Sequence, residues 1–295
     1  MTLPNFILAG FPKCGTTSLY HYLAGHPEIF MSALKEPHYF AAEELTQDSF
    51  FDAEVKTLEE YEALFAESGR AKSIGEASTL YPYFEAAGRR IRETLPDVRI
   101  LMVIRQPAER SHSAFGHLQQ SGQATDTTFK HLARQWLRRE GDPASIRLRF
   151  FEGSRYSQYL PAYQALFPPE RLRVILYDDL KADPAGTMRE IFAFLEVDEN
   201  QPLDIDKRHN VTQAPRSRRF EAVFHSSNPI RALGRTILPR PLKEALHRLR
   251  RKNWTATRPL HPALRAELTD AYREDILRTE ELIGRDLSHW LEPAT

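Results

Sequence analysis

Residues 5–17 carry the sequence NFILAGFPKCGTT, in which a short apolar run leads into a turn. Residues 5–10 are almost entirely apolar, which is typical of a strand buried on both faces. The loop that follows contains Pro12 and Gly15, and a helical pattern begins at residues 18–23. The stretch therefore predicts a strand, a loop and a helix in that order.

Two later parts of the chain repeat this order. Residues 98–104 form a second apolar run, and Pro107 stands at the start of a helical pattern that extends to Gln120. Residues 172–177 form a third run, which is followed by a helical pattern at residues 184–195. Strands that alternate with helices in this way pair in parallel through right-handed crossovers.

The predicted fold class is therefore α/β, with a central parallel β-sheet flanked by helices. We find no linker long enough to divide the chain, so a single domain over residues 1–295 is expected. Further helices are expected at residues 57–66, 128–139 and 262–283, the last of them amphipathic.

The composition is that of an ordinary globular protein. The 295 residues are 41% hydrophobic and 27% charged, and 40 basic residues balance 40 acidic ones, so no overall positive charge favours nucleic acid. A single cysteine excludes an intramolecular disulfide and fits a reducing compartment. No signal peptide or membrane anchor is apparent, and the histidines form no metal-binding motif. We therefore expect a cytoplasmic protein without a metal.

One part of the chain is strongly basic. Residues 205–258 hold 14 Lys or Arg against 3 Asp or Glu. The segment is interpreted as a lid over the cofactor or acceptor within the single domain. Its Leu242, Leu246 and Leu249 lie at helical spacing, which also fits an interfacial helix on a membrane surface or a plain surface helix.

The loop at residues 10–17 is a candidate anion site. Two glycines five residues apart, between a strand and a helix, allow backbone N–H groups and the helix dipole to face a phosphate. The spacing is close to that of a nucleoside triphosphate loop, but Thr16 stands where that motif has Lys, and the lysine is Lys13. The second strand ends in Arg105 rather than in a magnesium-binding Asp.

Three motifs resemble those of sulfotransferases that use 3′-phosphoadenosine 5′-phosphosulfate (PAPS). Residues 12–19, PKCGTTSL, are similar to the 5′-phosphosulfate loop, and residues 105–115, RQPAERSHSAF, to the 3′-phosphate signature. Residues 35–40, KEPHYF, match a segment of the heparan- and chondroitin-type branch and of its bacterial relatives. Weaker similarity at residues 209–211 and 287–291 extends the resemblance over most of the chain.

The resemblance implies how the cofactor is bound. Lys13 is implied to neutralise charge on the bridging oxygen and the 5′-phosphate, without a metal, and Arg105 and Ser113 to bind the 3′-phosphate. Arg216 is a further candidate cofactor contact, from the basic region. The loop residues implied to surround the phosphosulfate are Lys13, Cys14, Gly15, Thr16, Thr17 and Ser18.

The resemblance also suggests the catalytic base. Glu36 occupies the position of the base in carboxylate-type members, and His38 is the rival, because imidazole titrates closer to neutral pH. Lys13 completes the implied catalytic set. Cys14, beside Lys13 at a helix start, is expected to have a lowered thiol pKa. Tyr177 is a candidate for contact with adenine or for core packing.

The implied activity is transfer of a sulfuryl group from PAPS, leaving the product PAP, to a hydroxyl or an amine of a small-molecule, lipid or carbohydrate acceptor. Glycan-modifying members carry Lys where this chain has Ala77, which argues against a glycosaminoglycan acceptor. Two alternatives stay open at this point. One is a nucleotide kinase with a degenerate phosphate loop, and the other is an inactive nucleotide-binding scaffold that uses the basic region for a partner or a membrane.

Overall fold

The structure is a computed structural model that describes residues 2–46, 52–121, 124, 126–142, 145, 147–202, 213–215, 254–256 and 259–293. These residues fall into two compact units. The first lies within Met1–Arg110, Arg155–Asn210 and Tyr272–Glu292, and the second within Ser111–Ser154, Val211–Ala271 and Pro293–Thr295.

The first unit is built on a five-stranded parallel sheet, which confirms the predicted α/β class. Its strands are β1 (Phe6–Leu8), β2 (Ile29–Met31), β3 (Ser73–Ala77), β4 (Arg99–Ile104) and β5 (Leu172–Leu176). They lie in the order β2-β3-β1-β4-β5, so β1 is central and its carboxyl end opens between the ends of β3 and β4. Ligands bind at such positions in open parallel sheets.

The sheet of the first unit is accompanied by helices and short 3₁₀ turns. The helices are α1 (Thr16–Ala24), α2 (Ala42–Thr46), α3 (Leu58–Ala63), α4 (Glu85–Thr94), the start of α5 (Pro107–Gln120), α8 (Leu160–Leu166), α9 (Tyr177–Ala182), α10 (Pro184–Phe194), α12 (Arg273–Ile283) and α13 (Ser288–Leu291). The 3₁₀ turns are Tyr39–Ala41, Tyr81–Tyr83 and Tyr156–Gln158.

Strand β1 is buried because it has a neighbouring strand on each side. Phe6, Ile7 and Leu8 are fully buried, and burial of each such side chain contributes roughly 1.5–3 kcal/mol. Gly10 follows directly, where a Cβ atom would lie 2.4 Å from the backbone nitrogen of Val103 on β4. Only glycine allows the chain to pass this close to β4 as it enters the loop.

The second unit contains the remainder of α5, with α6 (Phe129–Leu137), α7 (Arg149–Glu152), α11 (Pro262–Ala271) and the antiparallel pair β6 (Gln213–Pro215) and β7 (Trp254–Ala256). Its apolar packing includes the stacked rings of Trp136 and Phe151, with centroids 5.1 Å apart.

The predicted single helix at residues 262–283 is wrong, since α11 and α12 are separate helices. Tyr272 stands between them with φ −94° and ψ −1°, and its ring is fully buried. A turn at Tyr272 therefore interrupts the helix, although the helical pattern of the sequence continues through it. Within the described residues, no helix has the length and apolar character needed to cross a membrane.

Candidate active site

The loop after β1 adopts the backbone that its glycines predict. Gly15 has φ 91°, in the left-handed region, and a Cβ atom there would lie 2.8 Å from the ring of Tyr177. Lys13 also has a positive φ, 69°, which is uncommon for a residue with a side chain and marks local strain. Tyr177 therefore packs against the loop. A contact of Tyr177 with adenine stays a prediction.

Helix α1 begins at the end of this loop. The N–H groups of its first turn have no acceptor within the helix. Gly15 is the N-cap residue and supplies no side-chain hydrogen bond to the first turn. Thr16 is buried, whereas Thr17 and Ser18 are partly exposed. The N-terminus of a helix carries partial positive charge and binds anions. The residues predicted to surround a phosphosulfate group thus lie together in one turn at the N-terminus of α1.

Buried polar contacts hold the loop after β1 in place. Arg110 on α5, 3% exposed, donates from Nε to the Pro12 carbonyl at 3.0 Å and from a terminal nitrogen to the Tyr83 hydroxyl at 2.7 Å. The Tyr156 hydroxyl donates to the Arg105 carbonyl at 2.7 Å. The Arg110 contact joins the loop after β1 to α5, and the Tyr156 contact holds the residue that follows β4.

The expectation that Cys14 has a lowered pKa is wrong. The thiol is fully buried, 3.6 Å from the Tyr156 hydroxyl, and burial raises its pKa because a thiolate would lose its hydration. The nearby charge of Arg110 opposes this effect without reversing it. Cys14 is therefore packed into the interior, and the whole residue is inaccessible to solvent.

Lys13 lies among charged side chains at the carboxyl ends of the strands. Burial lowers the pKa of its ammonium group, and the positive charges of Lys35, Arg105 and Arg110 lower it further, while Glu36 raises it. This concentration of cations beside the helix terminus favours an anionic ligand.

Arg105 follows β4, as predicted. Its guanidinium forms an ion pair with Glu109 at 3.4 Å, and its central carbon lies 4.7 Å from the centre of the Tyr177 ring. The side chain is partly exposed, so both contacts leave it accessible to solvent. Held in this way, Arg105 adds its positive charge to that of the loop.

Glu36 and His38 lie on the segment after β2, and both have left-handed φ values, 65° and 55°. The Glu36 carboxylate contacts Lys35 Nζ at 2.7 Å and His38 Nε2 at 3.6 Å. The Thr79 hydroxyl donates to the same carboxylate at 3.4 Å. Burial alone would raise the pKa of Glu36, but the His38 hydrogen bond and the Lys35 charge lower it to about 2.

The structure brings together some of the residues that the sequence predicts for the site. Lys13, Glu36, His38 and Arg105 all belong to the first unit and line the same end of the sheet. Ser113 is buried in the part of α5 that belongs to the second unit. Arg216 lies outside the described residues, as does most of the basic region 205–258.

Several residues that support the site were not assigned a role from the sequence. Arg110 could have been found, because it is the second arginine of the 105–115 motif. Tyr156 and Thr79 carry no sequence signal, since their partners are distant along the chain. In the described part of the chain, no group of three or more His, Cys, Asp or Glu is placed to hold a metal ion.

Comparison with known proteins identifies the family of this chain. The chain belongs to the sulfotransferase domain family, whose model matches residues 3–231. Of the enzyme classes left open by the sequence, this selects the sulfotransferases rather than the nucleotide kinases. The family uses PAPS, so the cofactor predicted from the motifs is confirmed at the level of the family.

Relatives of known type include glycan-modifying enzymes. The chain is 27% identical over 219 residues to a bifunctional heparan sulfate N-deacetylase/N-sulfotransferase of Drosophila melanogaster, covering 68% of this chain and 20% of that protein. It is 25% identical over 268 residues to human carbohydrate sulfotransferase 15, covering 73% and 47%. It is 32% identical over 143 residues to the membrane-associated sulfotransferase kil1 of Dictyostelium discoideum, covering 48% and 26%.

The chain thus spans a fifth to a half of the length of these relatives. Among solved structures, a sulfotransferase from Alicyclobacillus acidocaldarius is similar over 99% of this chain and 100% of its own, with a TM-score of 0.73 and 24% sequence identity. At this identity the likeness concerns the fold.

Proposed function

We propose that this chain transfers the sulfuryl group of PAPS to a hydroxyl or an amine of a small-molecule, lipid or carbohydrate acceptor. The observation that carries the proposal is the placement of Lys13, on an anion-binding turn, in the same charged cluster as the carboxylate of Glu36. Lys13 is suited to bind the sulfuryl donor, and the Glu36 carboxylate is suited to accept a proton from the acceptor.

The residues present fit the donor. The N-terminus of α1 follows the loop and has Gly15 as its N-cap residue, so no side chain caps it, and a helix N-terminus carries the partial positive charge that suits phosphate oxygens. Bound PAPS supplies an activated sulfuryl group on a phosphate leaving group. Lys13 stabilises the negative charge of that leaving phosphate, a role that requires no metal.

The 3′-phosphate of PAPS is assigned to Arg105 in this proposal. A guanidinium group forms two parallel hydrogen bonds with phosphate oxygens better than an ammonium group does. Ser113 and Arg216 are assigned to the same nucleotide on the motif resemblance alone. Cys14, Thr16, Thr17 and Ser18 are assigned to the phosphosulfate through the turn.

Glu36 is the proposed general base. Its low pKa keeps it ionised throughout the neutral range, so it accepts a hydrogen bond from the acceptor hydroxyl without prior deprotonation. A carboxylate of this pKa is a weak base, but the acceptor proton becomes strongly acidic as its oxygen bonds to sulfur. His38, 3.6 Å from Glu36, fixes the carboxylate and is the alternative base.

The proposal is tested with sulfur-labelled PAPS, the purified chain and a panel of phenols, alcohols, amines and extract from the native host. Lys13→Ala is expected to abolish labelled product and weaken PAP binding, whereas Lys56→Ala, an exposed lysine, is the control. Glu36→Gln is expected to lower turnover roughly 10²–10⁴-fold while PAP affinity is retained, with exposed Glu59→Gln as control.

Each outcome has a distinct meaning. Near-wild-type turnover of Glu36→Gln would assign the base to His38. Wild-type turnover of Lys13→Ala, or absence of labelled product from the wild-type chain with every acceptor and with the extract, would contradict the proposed activity.

A further inference from the structure

One buried hydroxyl group, that of Tyr156, contacts both parts of the candidate nucleotide site. It donates to the Arg105 carbonyl at 2.7 Å and accepts from the Arg105 N–H at 3.2 Å. It also lies 3.6 Å from the Cys14 thiol, in the loop after β1. Tyr156 is fully buried, and all three residues belong to the first unit. The residue assigned to the 3′-phosphate and the loop assigned to the phosphosulfate therefore meet at this oxygen atom.

The hydroxyl group has the hydrogen-bonding capacity for all three contacts. A phenol hydroxyl donates one proton and accepts through its lone pairs. The short distance to the Arg105 carbonyl assigns the proton to that contact, and the Arg105 N–H occupies one acceptor position. The Cys14 thiol, which has a proton of its own, is therefore the donor in the third contact. Loss of the hydroxyl would remove a partner from both backbone groups of Arg105.

The contacts act on a residue that belongs to neither of its neighbouring elements. Arg105 follows Ile104, the last residue of β4, and α5 begins only at Pro107. One hydroxyl group bonds to both the N–H and the carbonyl of this connecting residue. Because both peptide groups of Arg105 are held from the same side, the direction in which its side chain leaves the backbone is fixed.

Tyr156 is itself held by a buried carboxyl group. Asp275, in the first turn of α12, accepts from the Tyr156 N–H at 3.1 Å. It also accepts from the N–H of Ser157 at 3.1 Å and from the Ser157 hydroxyl at 2.6 Å. The Tyr156 ring packs edge-on against Phe11, with centroids 4.8 Å apart. The protein itself therefore sets the position of the Tyr156 hydroxyl.

We propose that Tyr156 is a positioning residue for recognition of the 3′-phosphate. Its hydroxyl group, held in place through Asp275, orients Arg105 and thereby sets the preference of the site for a nucleotide that carries a 3′-phosphate as well as a 5′-phosphate. An arginine whose backbone is already ordered loses less conformational freedom when its guanidinium binds a phosphate. The inference deepens the proposed function and rests on it for the identity of the nucleotide.

Calorimetry with PAP and 5′-AMP tests the effect on recognition, because only PAP carries the 3′-phosphate. Tyr156→Phe is expected to lower the ratio of PAP affinity to 5′-AMP affinity about three- to tenfold, the range that one hydrogen bond supplies. Retained 5′-AMP binding shows that the variant folds. The matched control is Tyr163→Phe, whose equally buried hydroxyl donates to the Tyr81 carbonyl at 2.8 Å. An affinity ratio in Tyr156→Phe equal to that of the wild type would overturn the proposal.

A double-mutant cycle tests whether Tyr156 acts through Arg105. Arg105→Ala keeps both backbone groups and removes the guanidinium, so it is expected to abolish most of the preference for PAP. In that background, Tyr156→Phe is expected to change the affinity ratio no further. A further fall as large as that in the wild-type background would show that the hydroxyl acts by another route, and the role given to Arg105 would be wrong.

Asp275→Asn tests the residue that holds Tyr156. The amide keeps the size of the side chain but replaces one acceptor oxygen by a donor, so the N–H groups of Tyr156 and Ser157 no longer both have an acceptor there. The ratio of PAP affinity to 5′-AMP affinity is expected to fall in the same direction as in Tyr156→Phe. A wild-type ratio in this variant would contradict the part given to Asp275.

Hydrogen–deuterium exchange separates the inference from the proposed function. The Arg105 amide loses its acceptor in Tyr156→Phe, so it is expected to exchange several-fold faster there than in Tyr163→Phe, in which the loss of a buried hydroxyl affects only general stability. Equal Arg105 exchange rates in the two variants would refute the proposal without reference to any ligand. If the wild type neither binds PAP nor transfers sulfate, the proposed function fails, and these exchange rates still decide whether Tyr156 holds Arg105.

Discussion

Gly15 illustrates how a single residue defines the phosphate loop. Its φ of 91° lies in the left-handed region, and the ring of Tyr177 occupies the space that a Cβ atom would need. Two separate physical effects, backbone conformation and steric exclusion, therefore require glycine at this position.

Substitution Gly15→Ala is expected to weaken PAP binding by at least tenfold and to destabilise the chain by more than the roughly 1–2 kcal/mol of a left-handed alanine, because the methyl group meets Tyr177. Gly284→Ala is the matched control, since Gly284 has φ 62° and nothing within 4 Å of an added Cβ atom. Calorimetry with PAP and denaturant unfolding measure both effects. Equal losses in the two variants would contradict the role given to the Tyr177 contact.

Residues of the candidate site could be predicted from the sequence where they belong to a short motif with a defined spacing. Lys13, Arg105 and Glu36 could be predicted as site residues because each lies in a short motif beside a strand end, and their roles stay predictions. The prediction of a lowered thiol pKa for Cys14 was wrong. Proximity to a helix start does not indicate whether a side chain is buried, and burial is what sets the direction of this pKa shift. Glu76 was given no role from the sequence, because the Tyr61 hydroxyl that contacts it belongs to another element.

At the scale of elements, α5 contributes more than the motif that opens it. Its Arg110 reaches back to the Pro12 carbonyl and to Tyr83, and thus ties the helix after β4 to the loop after β1. The planar guanidinium group satisfies two acceptors that lie in different directions, which a single ammonium group does less well. Arg110 therefore supports the loop without being assigned to the nucleotide.

Arg110→Lys is expected to lower PAP affinity about tenfold and the free energy of unfolding by about 1–3 kcal/mol, because one buried acceptor is left unsatisfied. Arg89→Lys, an exposed residue paired with Glu85 at the surface of α4, is the control and is expected to change both by little. Isothermal calorimetry and urea unfolding provide the two measurements. Retention of full PAP affinity by Arg110→Lys would show that the loop does not depend on this contact.

Element prediction succeeded where apolar runs are continuous and failed where they are not. The runs that predicted β1, β4 and β5 are bounded by turn residues, and α5 begins and ends as predicted. Strand β3 was missed because Gly75 and Glu76 interrupt its apolar pattern, although both are buried between neighbouring strands. Strand β2, with three residues, is too short for a periodic signal.

For the whole molecule, the buried Glu76 makes stability depend on pH. Its pKa is raised from 4.5 to about 7 on folding, so the folded chain binds this proton more tightly than the unfolded chain. The resulting stabilisation is complete below the unfolded pKa and is lost as the pH rises through the folded pKa. The sign is opposite to that of Glu36, whose lowered pKa stabilises the fold above about pH 4.5.

The free energy of unfolding of the wild type, relative to that of Glu76→Gln, is expected to fall by about 2.5 kcal/mol between pH 5 and pH 8. Urea unfolding of both chains at the two pH values measures the difference, and comparison with the variant cancels titrations that the two chains share. A difference that stays constant, or that grows with pH, would mean that Glu76 is already ionised at pH 5.

The central claim is that one end of the sheet binds a doubly phosphorylated adenosine, with Lys13 at the 5′-phosphosulfate and Arg105 at the 3′-phosphate. Isothermal calorimetry of PAP against 5′-AMP tests it most directly, because the two nucleotides differ only in the 3′-phosphate. PAP is predicted to bind at least tenfold more tightly, which corresponds to about 1.4 kcal/mol or more. Equal affinities, or no binding of PAP, would contradict the claim.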